Sequence, residues 1–228
     1  MITFNYYGHA CFMLDTGHEK LLFDPFLSFN KQAKLKPSDV ICDYMFVSHA
    51  HEDHFSDALK IAEINHPMLV AIPEIINLFP AGYDNVHGMN LGGSAHFSFG
   101  TVTMVPALHS AGVAGGVACG FVIHFNDDTV VYYSGDTALF SDMKLIGEKQ
   151  KIHYSILPIG DNFTMGIEDA AKAAQMLKTS YVIPIHYNTW PVIEQEPSNF
   201  KAYAESIARC FVKIVEPGHS LDLEYMHK

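Results

Sequence analysis

His49-Ala50-His51-Glu52-Asp53-His54 is the stretch that decides how this chain is read. Three imidazoles and a carboxylate ligand candidate, Asp53, fall within it. Upstream, Tyr44-Met45-Phe46-Val47-Ser48 is an apolar run with the character of a buried strand. Downstream, residues 56–62 begin a helical pattern. The cluster therefore lies where a strand ends and a helix begins, the place where open α/β sheets put ligand sites. Imidazole nitrogen and carboxylate oxygen are the usual ligands of Zn²⁺ and similar ions. So short a span does not wrap all its donors round one tetrahedral ion without strain, whereas two ions roughly 3.5–4 Å apart share them naturally.

Outward from this stretch, the first half is rich in short strands, expected at 2–7, 11–14, 20–23, 44–47 and 68–72. A polar loop over 28–40 is expected near the site mouth, and Pro73 opens a short helix through 78. Residues 82–93 read as a turn-rich connector. Strands at 95–99 and 101–106 form a hairpin about Gly100, and strands at 121–125 and 129–133 pair across Asn126-Asp127-Asp128. The glycine-rich stretch 110–120 reads as a flexible loop and a candidate lid. The second half alternates, with helices at 139–149, 167–177 and 199–210 and strands at 154–158, 181–184, 213–215 and 221–225. No internal repeat or linker stands out. The pattern predicts one α+β domain over 1–228, two mixed β-sheets flanked by helices.

Composition supplies ample core material, with 49% hydrophobic and 17% charged residues in 228. A formal net charge of −11 argues against a broad nucleic-acid surface, which needs clustered Lys and Arg. Cys11, Cys42, Cys119 and Cys210 are scattered among apolar neighbours and read as buried free thiols. No basic leader or long apolar run is visible, so a cytoplasmic protein off the membrane is expected. A homo-oligomer is compatible with the composition.

Three further candidates, His109, Asp136 and His186, each follow an apolar strand by one to three residues. Strand ends converge on a sheet edge, so residues distant in sequence meet there. Each alone is equally a turn or capping residue; the set together points to a metal site. The His-x-His-x-Asp-His motif, followed in order by a His, an Asp preceded by Ser-Gly, and a final His, resembles the metallo-β-lactamase superfamily. Gly8-His9-Ala10, Asp24-Pro25, Ser134-Gly135-Asp136-Thr137, the run from Pro158 to Gly166, and Pro184-Ile185-His186-Tyr187 are similar to small bacterial metal-dependent hydrolases related to ascorbate-6-phosphate lactonase.

The resemblance implies a four-layer αβ/βα sandwich with a two-metal site. It assigns His49, His51 and His109 to one divalent ion, Asp53, His54 and His186 to the other, and Asp136 to both. No cysteine stands at a ligand position, unlike many antibiotic-hydrolysing members, and His51 stands where the diiron members usually carry Glu. Zn²⁺ suits these donors, and Mn²⁺, Fe²⁺ and Ni²⁺ suit them to different degrees. Paired cations ionise a shared water near neutral pH. The expected activity is hydrolysis of a small-molecule ester, lactone or phosphoester, with Asp53 orienting the hydroxide. His9 has two readings, a pocket residue that donates a hydrogen bond or proton, or a histidine at a strand bulge. Tyr187 and Trp190 read either as pocket wall or as packing. The rival readings are a phosphodiesterase acting on nucleic-acid fragments and a non-catalytic metal-binding protein.

Overall fold

Strand β1 (Ile2–Gly8) pairs antiparallel with β2 (Cys11–Asp15), and β2 with β3 (Lys20–Phe23). From β3 the pairing turns parallel through β4 (Tyr44–Phe46), β5 (Met68–Ala71) and β6 (Val86–Gly88). The second sheet repeats the plan. β7 (Ser94–Phe97), β8 (Gly100–Pro106), β9 (Cys119–Phe125) and β10 (Val130–Tyr133) are antiparallel. β11 (Tyr154–Pro158), β12 (Tyr181–Ile185) and β13 (Phe211–Val212) then continue parallel. The last strand, β14 (Ser220–Leu223), crosses back to pair with β1, which gives two seven-stranded sheets. The computed structural model describes residues 1–224, so Tyr225 of the final expected strand, and His227, lie outside the described residues.

Period-two alternation decides which side chains meet between the sheets. On β2, Phe12 and Leu14 face the central core while Cys11 and Met13 face the outer cluster; on β10, Val131 and Tyr133 face in and Val130 and Tyr132 out. Phe23 and Phe46 meet Phe121 across the sandwich at 6.3 and 5.3 Å between ring centroids. Such aromatic pairs contribute about 0.5–1.5 kcal/mol each beyond burial. Helix α1 (Glu52–Phe55) and α3 (Pro73–Ile76) are single turns beside the first sheet, and α2 (Ala58–Asn65) covers its outer face through Ile61. On the second sheet, α4 (Met143–Lys149), α5 (Ile167–Leu177) and α6 (Pro197–Ala208) pack over Val122, Tyr132 and Val182. The α5 face of Ala170, Ala171, Ala174 and Leu177 is buried, as its 3.6-residue spacing requires. The result is the helix–sheet–sheet–helix sandwich, and all four cysteines are buried and free.

Departures from the sequence expectation are local. The connector 82–93 contains β6, a three-residue strand. Helix α6 begins and ends earlier than expected, because Pro197 sits in its first turn, the Glu196 carboxylate accepts from Ser198 N–H, and Arg209 turns left-handed at φ 55°. The following strand is accordingly Phe211–Val212, ahead of 213–215. Helix α4 begins at Met143, later than residue 139.

Candidate metal centre

Four of the sequence-predicted ligands sit just past a strand end. His49 follows β4, His109 follows β8, Asp136 follows β10 and His186 follows β12 directly. The motif is not wholly a loop. Helix α1 starts inside it, with His54 N–H donating to the His51 carbonyl at 3.0 Å. Three residues of the rim hold left-handed backbone, His9 (φ 57°), Asp24 (φ 42°) and His186 (φ 56°). Non-glycine residues in that region carry strain, and it concentrates at functional sites.

The donors form two adjoining groups. In one, ligand atoms of His49, His51 and His109 lie within 4.8 Å of one another; in the other, those of Asp53, His54, His186 and His9 do so. Asp136 stands against both. Its Oδ2 is 3.2 Å from His54 Nε2, 3.1 Å from His186 Nε2 and 3.8 Å from His109 Nε2.

Buried polar atoms normally find partners, yet His54 Nε2, His186 Nδ1 and Nε2, and Asp136 Oδ1 are buried without a hydrogen bond. For His54 the reason is visible behind the ring. Its Nδ1–H donates to Asp24 Oδ2 at 2.7 Å, so that when the ring gives up its second proton the lone pair is on Nε2. Asp24 is fully buried and also accepts from Ser48 N–H at 2.7 Å, from Ser48 Oγ–H at 2.5 Å and from the Tyr133 hydroxyl reaching across from the other sheet. Ser48 Oγ, its proton used on Asp24, accepts from His49 Nδ1–H at 3.0 Å and fixes that ring the same way.

His9 takes a different part. It is fully buried and lies outside the cavity lining. Its Nε2–H donates to Asp53 Oδ2 at 3.0 Å, and its Nδ1 accepts from the Thr189 hydroxyl at 2.8 Å. The ring is sandwiched against His186 at 3.9 Å and Trp190 at 4.7 Å. Both ring nitrogens are engaged, and the side chain holds Asp53 in place.

The electrostatics favour positive charge at the rim. Burial alone would lower the His54 and His186 pKa values. The Asp136 carboxylate overrides this for both, with Asp24 acting on His54 and Asp53 on His186, raising His54 well above the usual range and His186 to about 9. Against the cost of burial, His186 and His54 hold Asp136 ionised. A cation replaces those protons in kind. His9, by contrast, is pushed down to about 3 by burial and by its neighbour His186, so it stays neutral. The donor set, its unpartnered nitrogens and the ring orientations fit divalent metal binding.

A cavity of about 660 Å³ opens over this rim. Its floor is polar, formed by His51, Asp53, His109 and Asp136, with Ser110 and Glu52 at the side. Its walls are Phe26, Phe29, Phe163, Trp190 and Val192. The polar loop expected near the mouth does reach it, but through Phe29. Tyr187 is packed in the outer core instead of the wall. Asp24 and the phenylalanine wall carried no signal in the sequence beyond the Asp24-Pro25 pair.

A family model described as a beta-lactamase superfamily domain matches residues 19–187. A UPF0173 metal-dependent hydrolase from Natranaerobius thermophilus is 46% identical over 218 residues, covering 95% of this chain and 97% of that protein. Another from Bacillus subtilis is 40% identical over 227 residues, covering 96% of this chain and 98% of that protein. The solved structure of Igni18, a metallo hydrolase from Ignicoccus hospitalis, matches with a TM-score of 0.90 at 34% identity, covering 99% of each chain. With its sandwich fold, its clustered imidazoles and these relatives, the chain belongs to the metallo-β-lactamase superfamily, among the UPF0173 metal-dependent hydrolases.

Proposed function

We propose that the protein is a binuclear hydrolase of small esters, lactones or phosphoesters. The observation that carries this reading is Asp136 Oδ2, which lies within 3.8 Å of imidazole nitrogens from both donor groups. His49, His51 and His109 would hold one divalent ion, Asp53, His54 and His186 the other, and Asp136 both. Zn²⁺ is the first choice for such nitrogen and oxygen donors. Bound there, the ions would supply Lewis acidity and ionise a water near neutral pH.

The protein's own groups do the rest. Asp24 and Ser48 hold the His54 and His49 rings so that each presents Nε2. His9 fixes one oxygen of Asp53, whose side chain lines the cavity and is 24% exposed, and the other oxygen would serve as acceptor for a proton from an attacking water. Ser110 Oγ meets His51 Nε2 at 3.1 Å, but the other nitrogen of that ring faces His49 Nε2 at 3.0 Å and not a carboxylate, so the nucleophile is assigned to water and not to this hydroxyl.

The test is turnover of an ester, lactone and phosphodiester panel by Zn²⁺-loaded protein, alongside Asp136→Ala. We expect the variant to lose about 10²–10³-fold in kcat. An inert loaded protein, or Asp136→Ala with unchanged turnover and metal content, would overturn the reading.

A further inference from the structure

The walls of the cavity differ in kind from its floor. Three separate loops contribute them. Phe26 and Phe29 follow β3, Phe163 follows β11, and Trp190 and Val192 follow β12. Phe29, Phe163 and Val192 remain 77%, 54% and 60% exposed. Scattered exposed apolar residues are ordinary, but side chains from three loops converging on one cavity form a patch that awaits apolar contact. Phe26 is buried and meets Trp190 obliquely at 6.1 Å, so a packed inner wall lies beneath a more exposed outer rim.

Among the described residues, none lining the cavity is Lys or Arg, and the charged side chain apart from the proposed ligands is Glu52. An anionic group remote from the reacting bond would lose its water against phenyl rings with no cation to replace it. It would also face the Glu52 carboxylate. An uncharged alkyl or aryl group gains from the same walls.

We infer that the substrate is a neutral ester or lactone whose part remote from the reacting carbonyl is apolar and seats against Phe26, Phe29, Phe163, Trp190 and Val192. This rests on the hydrolytic reading of the centre and narrows it. A cavity of about 660 Å³ admits a ring or a medium alkyl chain together with the reacting group. The bond cleaved is the acyl carbon–oxygen bond. Water adds its oxygen to the carbonyl carbon, and the alcohol oxygen leaves with a proton.

The experiment uses the Zn²⁺-loaded protein and two readouts. In the first, kcat/KM is compared for a pentyl-substituted δ-lactone, an unsubstituted sugar lactone and its phosphorylated form. We expect the pentyl lactone to lead by about 10-fold or more, with the lead falling about 3–10-fold in Phe29→Ala and Phe163→Ala through KM. These side chains are exposed, so the variants keep the fold.

The second readout needs no turnover. Trp190 is the only tryptophan of the chain, so its fluorescence reports this wall directly. A pentyl-substituted δ-lactam, which resists hydrolysis, should shift Trp190 emission saturably, and a carboxylate-substituted lactam should not. Equal or tighter binding of the charged lactam, or no response to the pentyl lactam, would overturn the inference. So would a phosphorylated lactone as the better substrate. Saturable lactam binding without turnover of any ester, lactone or phosphodiester of the panel would leave the apolar seat standing and sink the hydrolytic reading instead.

Discussion

At the scale of single residues, the decisive side chain is one that touches no substrate. Asp24 accepts from Ser48, His54 and Tyr133, and through Ser48 it also sets the His49 ring. Asparagine in its place puts an NH₂ donor against existing donors in either orientation of the amide. Asp24→Asn should weaken metal binding about 10–100-fold, read by competition with a chromogenic chelator. It should also cost about 1–3 kcal/mol in urea unfolding. Unchanged affinity would show that the His54 ring does not need this partner. The proposed donors stood out in the sequence because the 49–54 motif has a fixed spacing and the other three follow recognisable strands. Asp24 was not, since an aspartate before a proline looks the same at a turn as under a metal site until its burial is known. Tyr187 and Trp190 illustrate the same limit. Three residues apart on one loop, one is core and the other wall, and no local pattern separates them.

At the scale of elements, the loop 110–120 departs most from expectation. Its glycines suggested a free lid. Instead, the Ala111 carbonyl accepts from Ala50 N–H at 2.8 Å, and Cys119 N–H donates to the Ser48 carbonyl at 3.1 Å, so both ends are sewn to the motif loop. Gly112 adopts φ +69°, and a Cβ there would lie 2.6 Å from the Ala50 carbonyl carbon and 2.7 Å from His51 N. Gly112→Ala should therefore cost about 1–3 kcal/mol in thermal unfolding and displace His51, lowering metal content in the same preparation. Wild-type stability and metal content would mean that the two loops move apart without penalty. Long periodic elements such as α5 were legible to the residue, because eleven positions repeat one spacing. The three-residue β6 was not, since its strand character comes from pairing with β5 and not from its own sequence.

At the scale of the whole molecule, the two sheets follow one plan, with antiparallel strands leading into parallel ones. Corresponding strand ends carry related residues. His9 follows β1 as His109 follows β8, and Asp24 follows β3 as Asp136 follows β10. No sequence repeat announced this, because packing preserves the strand order without preserving the side chains. The first-half members, His9 and Asp24, brace the centre, while His109 and Asp136 stand among the proposed ligands. Metal at the proposed centre would thus be held by both sheets at once and should couple to global unfolding. Removing it with EDTA should lower Tm, and restoring Zn²⁺ to about 100-fold over its Kd should return about 2.7 kcal/mol. An unaltered Tm would mean that the folded form gains nothing from the ion. Because imidazole must shed its proton to ligate, the recovery should shrink as pH falls.

The pairing of Ile2 with Leu223 has a consequence for biosynthesis. The ribosome makes β1 about 200 residues ahead of its outer neighbour β14. At about 5–20 residues per second, one margin of the opening strand waits roughly 10–45 s for its mate. Over that interval the nascent chain carries a bare adhesive border right beside the His9 brace, and a chain ending short of β14 would never seal it.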